Sequence, residues 1–364
     1  LQAGEISLEH PENPEHGDYS TNIALILGKQ IKKNPQELAQ TITSAISEKK
    51  SAVLEKIEAV NGFINFYIAK EYLLQQLLQI IKQKERYGTG KEKKKVIIEF
   101  TDPNPFKVFH LGHLYSNTVG ESLARIFEAT GAKVWRVNYQ GDVGLHVAKA
   151  IWGMMHALDH KKPSDNAPMD EKVKWLGMCY AAGVLEEDEG KKKEIEKINK
   201  AVYEQSNDEI KKLYKKGRKW SLDYFETIYK RLGTKFSHYY FESKVADIGF
   251  NIVKKGLQIG IFQESQGAVI FPGEKYGLHS RVFINSQGLP TYEAKELGLA
   301  PTKYKDFKYD LSLIVTGNEI KDYFRVVLAA MKELYPDLAA KTRHVTHGMV
   351  RLPEGKMSSR TGNV

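Results

Sequence analysis

The spacing of apolar residues changes period three times between residues 96 and 137. Residues 96–99 form a short apolar run, and TDPNPFKVF, broken by two prolines, follows as a loop. Residues 113–129 carry helical apolar spacing that Gly131 ends, and residues 134–137 are strand-like again. Strand, loop, helix and strand in this order predict a βαβ unit. Its loop lies at the carboxyl end of a strand, where open parallel sheets bind their ligands.

Upstream, residues 20–32, a segment starting at Pro35, and residues 71–83 read as helices, while residues 60–68 (VNGFINFYI) read as a strand whose alternation turns Phe63 and Ile64 to opposite faces. Asn34 is placed to cap the second helix, with Pro35 at the first helical position, where a missing N–H costs nothing. The glycine-containing stretch 85–95 ends in KEKKK and sets a boundary between a small α+β domain at 1–88 and a larger α/β domain at 89–364. Beyond residue 153 the alternation gives way to lysine-rich helical segments such as KKKEIEKINK and IKKLYKKGRK. They predict an insertion over 153–279, with the sheet resuming at 281–285 and 311–315.

With 41% hydrophobic and 27% charged residues, and no run near the ~18 apolar residues that cross a bilayer, the chain reads as soluble and globular. No secretory signal opens it. Its single cysteine, Cys179, forbids an internal disulfide and a cysteine-based zinc site, so the reducing cytoplasm is expected, with no structural zinc or other bound metal. The net charge of +9 suits a polyanionic partner, with a merely basic enzyme as the lesser alternative. A start at Leu1 without Met, and a stop four residues after Arg360, predict a piece of a longer protein.

Chemistry concentrates in two segments 246 residues apart, His110-Leu111-Gly112-His113 and Lys356-Met357-Ser358-Ser359-Arg360. Histidines at i and i+3 at a helix start share a face, so both rings can donate to one anion. Gly112 has no side chain and leaves room for a flat adenine or ribose. A helix N-terminus there would hold a triphosphate. The arrangement suits attack on an α-phosphate, where each preorganised donor contributes roughly 3–4 kcal/mol to lowering the barrier. Lys356 would then neutralise the leaving pyrophosphate.

These two segments resemble the His-x-Gly-His and Lys-Met-Ser-Lys-Ser signatures of class I aminoacyl-tRNA synthetases. GDYSTNIAL at 17–25, NGFINF at 61–66, DPNPFKVFHLGH at 102–113, NYQGDVG at 138–144, YEAKEL at 292–297 and HGMVRLPEGKMSSRTGN at 347–363 narrow the resemblance to arginyl-tRNA synthetases. It implies a Rossmann-type parallel-sheet catalytic domain with a helical insertion, preceded by a tRNA-binding N-terminal domain. It further implies ATP-dependent formation of arginyl-adenylate, magnesium entering with ATP, transfer of arginine to the terminal adenosine of its tRNA, and activation that itself requires bound tRNA. A monomer is expected, and the family's C-terminal anticodon-binding domain is absent from these residues.

The same resemblance implies residue roles. Asp102-Pro103-Asn104 stands where the family has Ser-Pro-Asn, placing Asp102 and Asn104 at the amino-acid backbone, with His113 beside them. Tyr292 and Glu296, four apart on one helical face, stand where a Tyr and an Asp hold the guanidinium; Glu keeps the charge and lengthens the arm. Glu242 is either a second pocket carboxylate or an exposed glutamate. Asp142 either fixes the loop that holds the α-amino group or forms a turn. Gly348, Met349 and Val350 are a backbone ledge for adenine, compatible with a buried strand end. ATP is further assigned to His110, Gly112, His113, Lys356, Met357 and Ser358. Ser359 and Arg360 depart from the second Lys and final Ser of the signature, and Lys107, three residues before His110, is expected to supply the missing charge. Phe63 and Asn65 fall where the N-terminal domain touches the D-loop of tRNA, by stacking and edge hydrogen bonding, unless Phe63 packs in the core. Lysine-rich phosphate contacts would make tRNA affinity fall with salt. Two rivals remain: a small-molecule adenylate-forming ligase, and a non-catalytic RNA-binding relative.

Overall fold

The computed structural model describes residues 7–185 and 188–349. The chain divides into two compact units, Leu1–Thr89 and Gly90–Val364. In the first, strands β1 (Tyr19–Thr21), β2 (Leu54–Val60) and β3 (Phe63–Ile68) form an antiparallel sheet in the order β1-β3-β2. Helices α1 (Ile23–Ile31) and α2 (Pro35–Ser47) bury Ala24 and Ala39 against Ile64. Asn34 caps α2, its side-chain oxygen accepting the N–H groups of Gln36 and Glu37.

Helix α3 (Lys70–Gln83) closes the unit. Two readings change here. Residues 19–21 are extended, so the first helix starts at Ile23 rather than at residue 20. The run 60–68 is two strands joined by a hairpin turn, because Asn61 and Gly62 both adopt left-handed backbone, at φ 52° and 82°.

The second unit is built on a five-stranded sheet whose pairings are all parallel, in the order β11-β10-β4-β5-β6. Its strands are β4 (Lys95–Glu99), β5 (Lys133–Gln140), β6 (His238–Phe241), β10 (Leu311–Gly317) and β11 (Thr342–His347). Alternation on β4 sends Val96 and Ile98 to a core shared with helices α4 (Leu111–Ala129) and α8 (Asp208–Leu232), and Ile97 to the opposite core. That second core includes Val245 of α9 (Glu242–Gln258) and Leu299 of α10 (Tyr292–Asp306). The sheet is thus covered on both faces, which explains the unbroken apolar run of β4. From β4 the chain moves outward through β5 and β6, then returns on the other side through β10 and β11. The reversal of direction lies between β4 and β10, and the loops at their carboxyl ends are where such a sheet receives ligands.

Helices α5 (Leu145–Trp152), α6 (Met169–Val184), α7 (Glu189–Glu204) and α8 bundle around Trp175, Cys179, Ile198, Tyr214 and Trp220. Burial pushes the Cys179 thiol up to about 12. The helical insertion is shorter than the span 153–279. The main sheet already resumes at β6, whose four residues pair with Val137–Gln140. Conversely, β9 (Arg281–Ile284) belongs to a separate antiparallel sheet with β7 (Gln263–Ser265) and β8 (Ala268–Phe271), ordered β7-β8-β9. Phe262, Phe271 and Phe283 fill the core behind it, with Val326, Met331 and Leu338 from α11 (Lys321–Leu334) and α12 (Pro336–Lys341).

Helices α9 and α10 approach through glycine. A Cβ on Gly249 would lie 2.0 Å from the carbonyl oxygen of Ala294, and one on Gly298 2.4 Å from that of Val245. Both obstacles are backbone, so neither can swing aside. Gly249→Ala and Gly298→Ala should each lower stability by about 1–3 kcal/mol, read from urea or thermal melts. Wild-type stability in both variants would show that the helices part without cost.

Candidate functional site

The loop after β4 holds strained backbone in place with side-chain hydrogen bonds. Thr101, Asp102 and Phe106 adopt positive φ values of 77°, 43° and 68°, conformations that cost non-glycine residues free energy. Ser116 Oγ accepts the Thr101 N–H at 3.1 Å, and Ser221 Oγ accepts the Phe106 N–H at 2.9 Å. Asp102 turns toward the sheet, where its Oδ1 accepts the Tyr139 N–H at 2.7 Å. Burial and the neighbouring Glu99 push its carboxyl well above the usual range.

The loop delivers His110 to the N-cap of α4. His110 Nδ1 accepts the Gly112 N–H at 3.1 Å, and His113 Nδ1 accepts the His110 N–H at 3.2 Å. This reciprocal capping stacks the rings 3.7 Å apart at 19°. Burial lowers the pKa of both, with Lys107 adding to the effect on each and His110 to that on His113. Both rings are therefore neutral at neutral pH. Since each Nδ1 is an acceptor, each proton sits on Nε2, leaving two N–H donors beside a helix N-terminus. The space above Gly112 is used differently from the sequence reading: a Cβ there would lie 2.9 Å from His110 Cε1, so the glycine makes room for its neighbour's ring. Lys107 Nζ lies 5.1 Å from the centroid of the Tyr180 ring.

Acidic side chains converge behind this donor pair. Glu99, at the end of β4, binds Lys303 at 2.8 Å, and Glu242, the first residue of α9, binds Lys295 at 2.6 Å. Glu242 is buried, which removes its reading as an exposed glutamate. Burial raises its pKa even against Lys295. Glu296 is only 8% exposed and, among the described residues, has no hydrogen bond or ion pair. Burial and then Glu99 push its carboxyl well above the usual range. Gly141 lets these groups meet, since a Cβ there would lie 2.3 Å from Asn104 Oδ1 and 3.1 Å from Glu242 Oε1.

Asp142 is fully committed to the protein. Its Oδ2 accepts from Tyr214, Arg218 Nε and Ser243 Oγ at 3.1, 2.8 and 2.8 Å, and its Oδ1 from the Ser243 N–H at 2.9 Å. It ties the β5 loop to α8 and to the start of α9, so it positions Glu242 and leaves no strong acceptor for an amino group. His146, which the sequence reading passed over, holds Tyr292. Its Nε2 lies 2.7 Å from the Gly141 carbonyl oxygen and its Nδ1 3.4 Å from the Tyr292 hydroxyl. Burial and then Lys107 hold it down to about 3, so the ring is neutral, donating from Nε2 and accepting at Nδ1. Lys295 was likewise missed. His146 lies two residues beyond NYQGDVG and Lys295 lies inside YEAKEL, so adjacency to those segments was the only available signal.

Gly348 and Met349 follow the carboxyl end of β11, with no side chain within 4 Å of a Cβ on Gly348 and Met349 exposed. Val350, Lys356, Met357, Ser358, Ser359 and Arg360 lie outside the described residues. In the first unit Phe63 is 43% exposed at the hairpin, whereas Asn65 is buried and accepts from Ser20 Oγ at 2.8 Å. Phe63 is therefore not a core residue, and the side-chain oxygen of Asn65 is spent within the sheet.

The family described as tRNA synthetases class I (R), catalytic domain, matches residues 76–364, and the arginyl tRNA synthetase N terminal domain matches residues 1–68. Arginine–tRNA ligases of Treponema denticola and Borreliella burgdorferi are each 31% identical over 99% of this chain, which spans 62% of their length. Among solved structures, the Thermus thermophilus arginyl-tRNA synthetase aligns with a TM-score of 0.73 at 21% identity, over 99% of this chain and 64% of that one. The Plasmodium falciparum enzyme aligns with a TM-score of 0.72 at 20% identity, over 94% and 61%. Shared fold, both family matches and the placement of the signature loop at the sheet's reversal point lead to one conclusion: the chain belongs to the arginyl family of class I tRNA synthetases.

Proposed function

We propose that this chain carries the amino-acid-activating site of an arginine–tRNA ligase, joining L-arginine to ATP as arginyl-adenylate and passing arginine to the terminal adenosine of its tRNA. The observation that carries this reading is Glu296, a buried carboxylate with no hydrogen bond or ion pair among the described residues, on the helix that also bears Tyr292. A buried anion without a partner is costly unless a ligand supplies the cation. A guanidinium is planar and permanently charged, and donates two parallel N–H groups to a carboxylate. Glu242 Oε1 and the Tyr292 hydroxyl complete its surroundings, while Asn104 meets the amino-acid backbone beside Asp102.

In activation, an arginine carboxylate oxygen forms a bond to the α-phosphorus and the bond to the pyrophosphate oxygen breaks. The Nε2–H groups of His110 and His113 and the α4 N-terminus would donate to the phosphoryl oxygens as charge grows there. Lys107 would supply positive charge beside them, with Lys356 acting on pyrophosphate; magnesium enters with ATP as substrate. Gly348 and Met349 would face adenine. A small-molecule ligase would have no use for an exposed aromatic such as Phe63 on a separate unit.

Arginine affinity should rise with pH. The raised carboxyl of Glu296 holds a proton in the empty site that the guanidinium must expel, so binding tightens as pH climbs and levels off once Glu296 ionises unaided. Calorimetry in two buffers of different ionisation enthalpy should record proton release on arginine binding and no binding of uncharged citrulline. Glu296→Gln should weaken arginine by about 2–5 kcal/mol and reduce the proton release. Equal binding of citrulline and arginine would sink the reading.

His146 gives a separate signature, in stability rather than in binding. The unfolded chain takes up its proton near pH 6.5, whereas the folded ring resists until about 3. Its contribution is complete above about 6.5 and is lost as pH falls through that window, by at most about 1.4 kcal/mol per pH unit. Denaturant melts across this range should show a shallower acid loss in His146→Gln than in wild type; parallel curves would remove the assignment. For the first unit, Phe63→Ala should weaken tRNA binding by about 1–3 kcal/mol in a filter or fluorescence assay and leave arginine affinity unchanged. Undiminished tRNA binding would remove Phe63 from the interface.

A further inference from the structure

Lys295 occupies an environment that suits a ligand cation. Its side chain is almost wholly buried, its ammonium lies 2.6 Å from Glu242 Oε2, and it sits 4.9 Å from the Tyr292 ring centroid and 5.5 Å from that of Tyr203. A carboxylate flanked by aromatic faces is a cage for an ammonium group. Burial opposes the charge on Lys295, but Glu242 and Tyr203 outweigh it and hold the amine above its ordinary pKa. The cage is therefore filled by a permanent internal cation. One residue further along α10, Glu296 has no such ion pair among the described residues.

The two carboxylates thus differ in what they can still accept. A primary ammonium on a flexible chain, as in lysine or ornithine, has the chemistry of Lys295 itself and would compete for the same cage. It would meet a like charge there in a desolvated site, which disfavours its binding. A guanidinium spreads its charge over a fork of N–H donors and can reach Glu296 without displacing the resident ammonium.

We propose that Lys295 is a specificity-determining residue, whose ammonium fills the Glu242–Tyr203–Tyr292 cage and closes the pocket to primary-ammonium amino acids while leaving Glu296 open to a guanidinium. The inference rests on reading this pocket as the arginine site. A residue that merely pinned α10 to α9 would affect stability without altering which cation binds.

The test replaces Lys295 in the intact protein by Met, and by Gln, which keeps a donor against Glu242 Oε2. The readout is lysine affinity by calorimetry, which does not require arginine to bind. Lysine should bind Lys295→Met at least about 30-fold more tightly than wild type, the scale of a relieved like-charge contact. Lys295→Gln should show a gain in the same direction. Ethylammonium chloride should raise the melting temperature of Lys295→Met beyond sodium chloride at equal ionic strength, but not that of wild type or of Lys295→Met/Glu242→Gln. Lysine affinity unchanged in a folded Lys295 variant overturns the proposal, whatever ethylammonium does. Should both single variants unfold, recovery of Lys295→Met on refolding with excess ethylammonium supports the cage, and its failure overturns it. Wild type that binds no arginine defeats the arginine reading separately, while the lysine and ethylammonium results still decide the role of Lys295.

Discussion

Negative charge buried at the carboxyl edge of the parallel sheet is the constraint around which the larger unit is organised. Glu99, Asp102, Glu242 and Glu296 all sit where β4, β6 and α10 converge, and a carboxylate in such a place needs a cation, a set of hydrogen-bond donors or a proton. Helix α10 supplies two of the cations. Lys295 and Lys303, eight residues apart and so close to one face, reach Glu242 on α9 and Glu99 on β4. The helix is thereby fixed both to its neighbour and to the central strand. Asp102 is satisfied by the Tyr139 N–H and by holding its proton. Glu296 alone among these four has no donor among the described residues, so in the function proposed above it is where a cationic ligand would belong.

That arrangement works only because backbones come unusually close. Glycines 249 and 298 bring α9 against α10, which sets the reach from Lys295 to Glu242. The strained loop after β4 is anchored in the same manner, by aromatic rings in glycine-made hollows. A Cβ on Gly120 would lie 2.1 Å from the Phe100 ring, and one on Gly217 2.2 Å from the Phe106 ring. Phe100 and Phe106 bracket the left-handed residues Thr101 and Asp102, so burying those two rings helps offset the backbone strain that carries the chain to His110.

The βαβ unit around HLGH was legible because every signal for it is local: an apolar strand, a proline-broken loop and a helical repeat within one stretch. Strand β6 was hidden. HYYF is four residues between two long helices in a lysine-rich region, and only its pairing with β5 identifies it. Missing it stretched the insertion to residue 279. The site divided along the same line. The helix-start positions of residues inside contiguous segments, such as His110, His113 and Tyr292, could be read by sequence alone. The role of Asp142 could not, because Tyr214, Arg218 and Ser243, which consume its oxygens, come from 72 to 101 residues further along the chain. A carboxylate's chemistry depends on what surrounds it, and a linear pattern does not contain those partners.

The neutrality of the two signature histidines constrains how charge can be handled in the larger unit. Their rings stack 3.7 Å apart with Lys107 close enough to depress both, so protonating either would place two or three cations in a half-buried space. The pair is suited to donating hydrogen bonds without reorganising, and unsuited to neutralising a triphosphate. For the ATP of the proposed function, neutralisation would then come from the α4 N-terminus, the metal that accompanies the nucleotide, and lysines. In this sequence Ser359 stands where the signature has its second lysine, which leaves one fewer cation at that end. Lys107, at the other end and close enough to act on His110, His113 and His146, is the charge that would compensate in the function proposed above. On that proposal, a positive charge moved from the Lys-Met-Ser segment to the His-x-Gly-His loop would keep the total while leaving the histidines as neutral donors, which is the state their own hydrogen bonds already impose.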